Sequence, residues 1–281
     1  MRNIQFFFSD IDGTILTNGF ELTEESKQIV KEIIDDNRFF ALASARPPFA
    51  IRPIIEELGV NIPFVSYNGA LISSFSDEGD LITLYSQPIQ KLDGFLIHNL
   101  LCSEFPYLSC SFYFNNEWYV ERVDEWSRLE TSIIDVEPEL ADIHELISNG
   151  FLFHKILCMG EKEKLNDLEK ALESLNLGGI SFYRSKNEYL EIVNSGISKK
   201  ESMIFLTRKY GISDDQTLAI GDHYNDIPMI DFSGVGIAMG NAPEGVKRHA
   251  DFITTTNDEN GFYKGLRKYI VNRVCQLNCG S

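Results

Sequence analysis

The stretch FFFSDIDGTI, Phe6 to Ile15, decides how the rest of the chain is read. Three aromatic residues run into two aspartates one residue apart, and Gly13-Thr14 follows at once. Ile4 to Phe8 is a short, nearly continuous apolar run, which suits a strand buried on both faces of a parallel sheet. Asp12-Gly13 is a common turn pair, so the aspartates could do no more than solvate the end of that strand. Alternatively, the buried strand is a rigid mount. Ligands of open α/β sheets collect at the carboxyl ends of strands, where Asp10 and Asp12 would sit. Two carboxylates held close repel each other, and such a pair calls for a cation or a shared proton. The stretch alone leaves both readings open.

The chain has 281 residues, enough for one large or two ordinary domains. Hydrophobic residues make up 43% and charged residues 24%, the composition of a soluble globular protein. The formal net charge of −17 argues against nucleic-acid binding and against an anionic membrane surface, since both would be repelled. An anionic substrate would need a locally inverted field, from a metal ion or placed lysines. Cys102, Cys110, Cys158, Cys275 and Cys279 form neither a paired framework nor a C-x-x-C knuckle, so ordinary reduced thiols are expected. The opening apolar run is too short for a signal peptide, and no run approaches membrane-spanning length. A cytoplasmic location is expected.

Outward from the opening stretch the pattern is strand, helix, strand, helix, strand. Leu22-Thr23 reads as a hydrophobic residue and N-cap before a helix through Ile29, Ile33 and Ile34. FFALAS (Phe39 to Ser44) is a second strand, and Pro47-Pro48 opens a helix that Gly59 stops. IPFVSYNG is a third strand ending in an Asn68-Gly69 turn. This alternation predicts a doubly wound, Rossmann-like parallel α/β sheet. Beyond Ala70 the texture changes to hairpin patterns and helices, and the βα rhythm returns with TLAIGD and VGIAMGN. The economical reading is a core, residues 1–85 and 190–281, interrupted by an inserted α+β domain, residues 86–189.

LAIGDHYNDIPMI then places Gly221, Asp222, Asn225 and Asp226 after another apolar strand. If this strand neighbours the first, the carboxylates converge on one site. Hard oxygen ligands with no His or Cys among them suit Mg²⁺. In order, DIDGT, SARP, SKK and GDHYND resemble the four motifs of the haloacid dehalogenase superfamily of phosphatases. The insert, with YNGA, GIAMGNA and NDENG, is similar to the Cof-type sugar- and cofactor-phosphatase branch, whose cap domain shapes specificity.

The resemblance implies a mechanism. Asp10 corresponds to the nucleophile that forms an aspartyl-phosphate, and Asp12 to the general acid and base. Mg²⁺ would be held by Asp10, the backbone carbonyl of Asp12 and Asp222, with Asp226 and Asn225 orienting those ligands or Lys199. Ser44 matches the phosphate-binding hydroxyl, although an N-cap before Pro47 would explain it too. Ala45 stands where the family usually has Gly, which matters only if the position needs positive φ. Arg46 would contact phosphate, hold the cap closed or make a surface ion pair; Asn68 would reach the site or simply form its turn. SKKE reads as a capping box with Ser198 as N-cap, and only one of the two lysines, Lys199, is expected to face the site.

The implied substrates are small phosphate monoesters: sugar phosphates, or phosphorylated cofactors such as FMN or pyridoxal phosphate. A phosphomutase or sucrose-type phosphatase on the same core is the nearest alternative, and a non-catalytic phospholigand-binding regulator the more distant one.

Overall fold

The computed structural model describes residues 3–270, so Cys275 and Cys279 lie outside the described residues. Among these residues five strands come first: β1 (Phe6–Asp10), β2 (Phe39–Ala43), β3 (Phe64–Ser66), β4 (Leu71–Phe75) and β5 (Leu81–Ser86). Six follow: β6 (Ser109–Phe114), β7 (Glu117–Val120), β8 (Glu139–Leu140), β9 (Lys155–Met159), β10 (Ile180–Lys186) and β11 (Tyr189–Asn194). The last are β12 (Thr217–Gly221), β13 (Val235–Ala238) and β14 (Phe252–Ile253).

Two compact units result. The first comprises the residues through Arg46, Ile51–Leu84 and those from Ser198 onward; the second comprises Pro47–Ala50 and Tyr85–Ile197. The first unit is an eight-stranded sheet in the order β14-β13-β12-β1-β2-β3-β4-β5. From β14 to β3 every neighbouring pair is parallel, and β4 turns back antiparallel on β3. All five residues of β1 are buried, as its apolar sequence demands of a strand flanked on both edges and covered on both faces. β1 runs to Asp10, two residues past the apolar run, because Ser9 and Asp10 stay in register with Leu42 and Ala43 of β2.

Helix Glu24–Asp35 starts at the expected Thr23, whose hydroxyl accepts the Ser26 N–H at 3.2 Å. It buries Ile29, Val30 and Ile33, which join Phe7, Leu42, Leu218 and Ile237 in one core. Burial of side chains of this size is worth about 1.5–3 kcal/mol each, which makes this core the rigid base of the strand ends above it.

The second unit is a six-stranded sheet in the order β10-β11-β9-β6-β7-β8, antiparallel except between β7 and β8. Phe112, Ile156 and Leu190 of that sheet pack against Leu165 and Leu168 of helix Lys162–Leu175 and Ile97 of helix Lys91–Glu104. The sequence ends the insert at Tyr189; the structure carries it to Ile197. The reason is β11, which is hydrogen bonded between β9 and β10 and is buried along its whole length. Cys102, Cys110 and Cys158 are free thiols. No helix among the described residues is long and apolar enough to cross a membrane.

Candidate active site

The site begins where two parallel neighbours end together. Ser9 of β1 is in register with Ile220 of β12, so Asp10 and Asp222 emerge side by side at the carboxyl edge of the sheet. Gly13 turns the chain there with φ of 74°. A Cβ on Gly13 would lie 2.5 Å from Asp222 Oδ2, so only glycine allows both the turn and the close approach. Thr14 Oγ1 donates to Asp222 Oδ1 at 3.3 Å. Asn241 Nδ2 donates to the Gly13 carbonyl at 2.9 Å and to Asp222 Oδ2 at 3.2 Å, fastening the two loops to each other.

Lys199 enters from the first turn of helix Lys199–Tyr210, whose N-cap Ser198 accepts the Glu201 N–H at 3.1 Å. Its side chain is 2% exposed, and Nζ pairs with Asp10 Oδ1 and, at 2.6 Å, with Asp226 Oδ1. Asp226 Oδ2 accepts the backbone N–H groups of Asp222 (3.0 Å) and His223 (2.9 Å). Both Asp226 oxygens are therefore engaged, in holding Lys199 and in shaping the loop that presents Asp222. Burial pulls the Lys199 ammonium down, but Asp10 and Asp226 outweigh it and hold its pKa above the usual lysine range.

The carboxylates feel the same low-dielectric surroundings with the opposite sign. Burial first, then the Asp226 charge, pushes Asp10 well above the ordinary aspartate range, against the pull of Lys199. Burial and Asp226 push Asp222 up to about 6, again opposed by Lys199. Asp10, Asp222 and Asp226 each offer an oxygen within 4.8 Å of the others. With all three carboxyls ionised, the one ammonium would leave two negative charges in surplus, which is the state that burial and mutual repulsion oppose and a cation would relieve. An oxygen-only donor set with that surplus fits a hard divalent cation.

A second group lies at the ends of β2 and β3. Arg46 grips Asp12 through Nε to Oδ2 at 2.9 Å and Nη2 to Oδ1 at 2.6 Å. The Asp12 carboxylate is thus turned to Arg46 and stands outside the three-carboxylate cluster. Ser44 is buried, and its Oγ accepts the Arg46 N–H at 3.1 Å. Ala45 has no positive φ, so the usual glycine is not required at this position. Tyr67, Asn68 and Gly69 are all left-handed, with φ of 53°, 55° and 121°. A Cβ on Gly69 would lie 2.6 Å from the Ser198 carbonyl, so this turn also seats the start of the Lys199 helix. Asn225 Nδ2 donates to Asn68 Oδ1 at 3.1 Å, joining the loop after β12 to the turn after β3.

The residue types of Thr14, Asn241 and Asn257 do not by themselves mark a site. Asn257 donates to the Leu16 carbonyl at 3.0 Å, and its N–H is accepted by Asn241 Oδ1 at 3.1 Å. GIAMGNA and NDENG stand out as motifs, and these asparagines are the polar links through which they reach Gly13 and Asp222.

A family model described as haloacid dehalogenase-like hydrolase matches residues 7–266. The chain belongs to that family. Among its relatives is a Haemophilus influenzae protein provisionally named a phosphatase, 31% identical over 255 residues that cover 90% of this chain and 94% of that one. A Bacillus subtilis relative, the 5-amino-6-(5-phospho-D-ribitylamino)uracil phosphatase YitU, is 23% identical over 269 residues, 92% of this chain and 95% of that one. A solved haloacid dehalogenase-like hydrolase from Bacteroides thetaiotaomicron superposes with a TM-score of 0.83 at 28% identity, covering 94% of this chain and 99% of that one. The parallel sheet with its inserted unit is accordingly the haloacid dehalogenase fold, and the chain is a hydrolase of that kind.

Proposed function

We propose that this hydrolase is a Mg²⁺-dependent phosphatase that cleaves small organic phosphate monoesters through an aspartyl-phosphate on Asp10. The observation that carries the reading is the meeting of Asp10, Asp222, Asp226 and Lys199 at the ends of β1 and β12. Asp10 attacks phosphorus as the ester P–O bond breaks, and Asp12 gives a proton to the departing alkoxide. Asp12 then takes a proton from water, which attacks phosphorus, releases inorganic phosphate and restores the Asp10 carboxylate. Arg46 holds the plane of the Asp12 carboxylate between turnovers and frees one of its oxygens for the proton transfers. Lys199 and the Ser44 hydroxyl bind phosphate oxygens, with Ala45, Asn68 and Asn225 completing the rim.

A cation held by Asp10, Asp222 and the Asp12 carbonyl would supply charge neutralisation and orientation for the phosphate when bound. Asp226 serves by positioning Lys199 and the Asp222 backbone. The second unit governs which ester is accepted; the proposed classes are sugar phosphates and phosphorylated cofactors, in keeping with the phosphoribityl compound in the name of the Bacillus relative.

The test is phosphate release from a generic aryl phosphate and a panel of sugar and cofactor phosphates, with Mg²⁺ and with excess chelator. Mg²⁺-dependent release is expected. Full activity in chelator would remove the metal from the reading, and binding of esters without release would make the chain a phospholigand-binding protein.

A further inference from the structure

Helix Lys91–Glu104 and the residue after β7 bring together metal-ligating groups that the reaction above does not use. His98 and Cys102 stand four residues apart on the helix, hence on one face. Glu121 directly follows β7. His98 Nε2 lies 3.0 Å from Glu121 Oε1 and 3.4 Å from Cys102 Sγ, and Cys102 Sγ lies 3.8 Å from Glu121 Oε2. A tetrahedral zinc ion, with bonds of about 2.0–2.1 Å to N and O and about 2.3 Å to S, has ligand edges of about 3.3 Å (N to O) and about 3.6 Å (to S). The edge to His98 ends on Oε1 of Glu121 and the edge to Cys102 on Oε2, so the carboxylate faces the other two donors with both oxygens, and each contact is within about 0.3 Å of the ideal edge.

The three groups border a cavity of about 160 Å³ in the second unit, also lined by Leu101, Phe105, Phe112 and Cys110. That volume leaves room for a water or small ligand as a fourth donor. A thiolate, a carboxylate and a neutral imidazole around a dication give a neutral set, which a half-buried position tolerates.

We propose that the second unit binds a zinc-type divalent ion through His98 Nε2, Cys102 Sγ and the Glu121 carboxylate, with the fourth position facing the cavity. The mixed N, S and O donors select zinc and its neighbours over Mg²⁺, which takes oxygen ligands. The ion ties the helix to the end of β7. His98 Nδ1 is buried without a hydrogen-bond partner, so the ring lacks the outer contact that commonly raises metal affinity by about 10–100-fold. Binding is therefore weaker than in a closed four-ligand site.

Co²⁺ and Zn²⁺ are the probes, added to full-length protein in excess Mg²⁺ with Cys275 and Cys279 replaced by serine. The oxygen-only cluster at Asp10 can give no thiolate-to-cobalt absorption, so that band reports a cysteine of the second unit, and Cys102→Ser tells Cys102 from Cys110. One equivalent of Co²⁺ is expected to produce the band together with tetrahedral visible transitions, and Zn²⁺ to abolish both. Cys102→Ser should remove the band and weaken Zn²⁺ binding by at least ~100-fold, and Glu121→Gln should keep the band with binding at least ~10-fold weaker. Both residues are exposed, so neither variant disturbs the core. Absence of the band in the parent protein, its persistence in Cys102→Ser (which would point to Cys110), or unchanged affinity in Glu121→Gln would each overturn the proposal.

Discussion

Arg46 and Asp12 meet fork to fork, with two nitrogens of the guanidinium on two oxygens of the carboxylate. Such a pair fixes a plane as well as a position, as the proposed proton-transfer role of Asp12 would require. It contributes little to stability, because the side chains are 27% and 44% exposed and solvent screens them. Arg46→Ala is therefore expected to leave the melting temperature nearly unchanged and to lower kcat by ~10–100-fold on alkyl phosphates, where leaving-group protonation counts. On aryl phosphates the loss should be smaller. Arg46→Lys should recover only part of the rate, since an ammonium lacks the fork. Equal losses on both substrate types would show that Arg46 binds the phosphate instead.

The tandem lysines divide sharply. Lys199 is buried between Asp10 and Asp226, whereas Lys200 lies 5.8 Å from the centre of the Phe232 ring. Lys199→Ala is expected to lower kcat/KM by at least ~10²-fold, about 2.7 kcal/mol of transition-state stabilisation. It should also destabilise the metal-free protein by about 3–5 kcal/mol, because it leaves buried carboxylates unpaired. Lys200→Ala should be near neutral in both respects. Rates and thermal melts of the two variants, taken with one substrate, check this; a larger rate loss in Lys200→Ala would reverse the assignment.

As a proposed metal ligand, Asp222 would link metal binding to stability. Without metal, the unfolded chain loses this proton near the ordinary value of 3.8, but the folded chain keeps it until about 6. Stability contributed by the protonated form is thus present below about 4 and is lost as pH rises towards 6. Asp222→Asn should remove that loss and raise the metal-free stability at pH 7 by about 1–2 kcal/mol. The same change should shrink the stabilisation that Mg²⁺ gives the parent protein. Calorimetry with and without Mg²⁺ reads both effects, and an equal Mg²⁺ effect in the two proteins would exclude Asp222 as a ligand.

Which parts of this site the sequence discloses follows from how local each determinant is. The apolar run before Asp10 announces a buried strand, and two acidic turns after two such strands announce an oxygen-rich site. Ser198 and Glu201 mark their helix start by spacing alone. The Arg46–Asp12 pair joins residues 34 positions apart, and an arginine at a strand end has too many potential partners for spacing to choose one. Asn241 reads as a turn residue until its amide is seen on Gly13 and Asp222. The end of the insert is hidden because β11, buried throughout, has the apolar texture of a core strand. His98 and Cys102 share a visible helical spacing, but only the folded sheet brings Glu121 to them.

The second unit should also respond to acid through His154. Asn115 donates its backbone N–H to His154 Nδ1 at 3.2 Å, which makes Nδ1 an acceptor and leaves the proton on Nε2, 2.9 Å from Ser86 Oγ. A second ring proton would have to displace the Asn115 amide. Burial lowers the His154 pKa from 6.5 to about 4. Above pH 6.5 the imidazole is neutral in both folded and unfolded chains, and its packing contributes fully. Between 6.5 and about 4 the unfolded chain takes up a proton that the folded chain refuses, so stability falls by up to about 1.4 kcal/mol per pH unit, to a limit of about 3 kcal/mol. His154→Gln cannot titrate, yet its amide oxygen and NH₂ can replace the acceptor and donor. Both tryptophans of the chain, Trp118 and Trp126, belong to the second unit, so their fluorescence follows its unfolding selectively. Urea titrations at pH 7.5 and 4.5 are expected to show a smaller acid loss in His154→Gln than in the parent, by about 2–3 kcal/mol. Identical losses would mean that His154 accepts its proton in the folded state and that other groups carry the acid sensitivity.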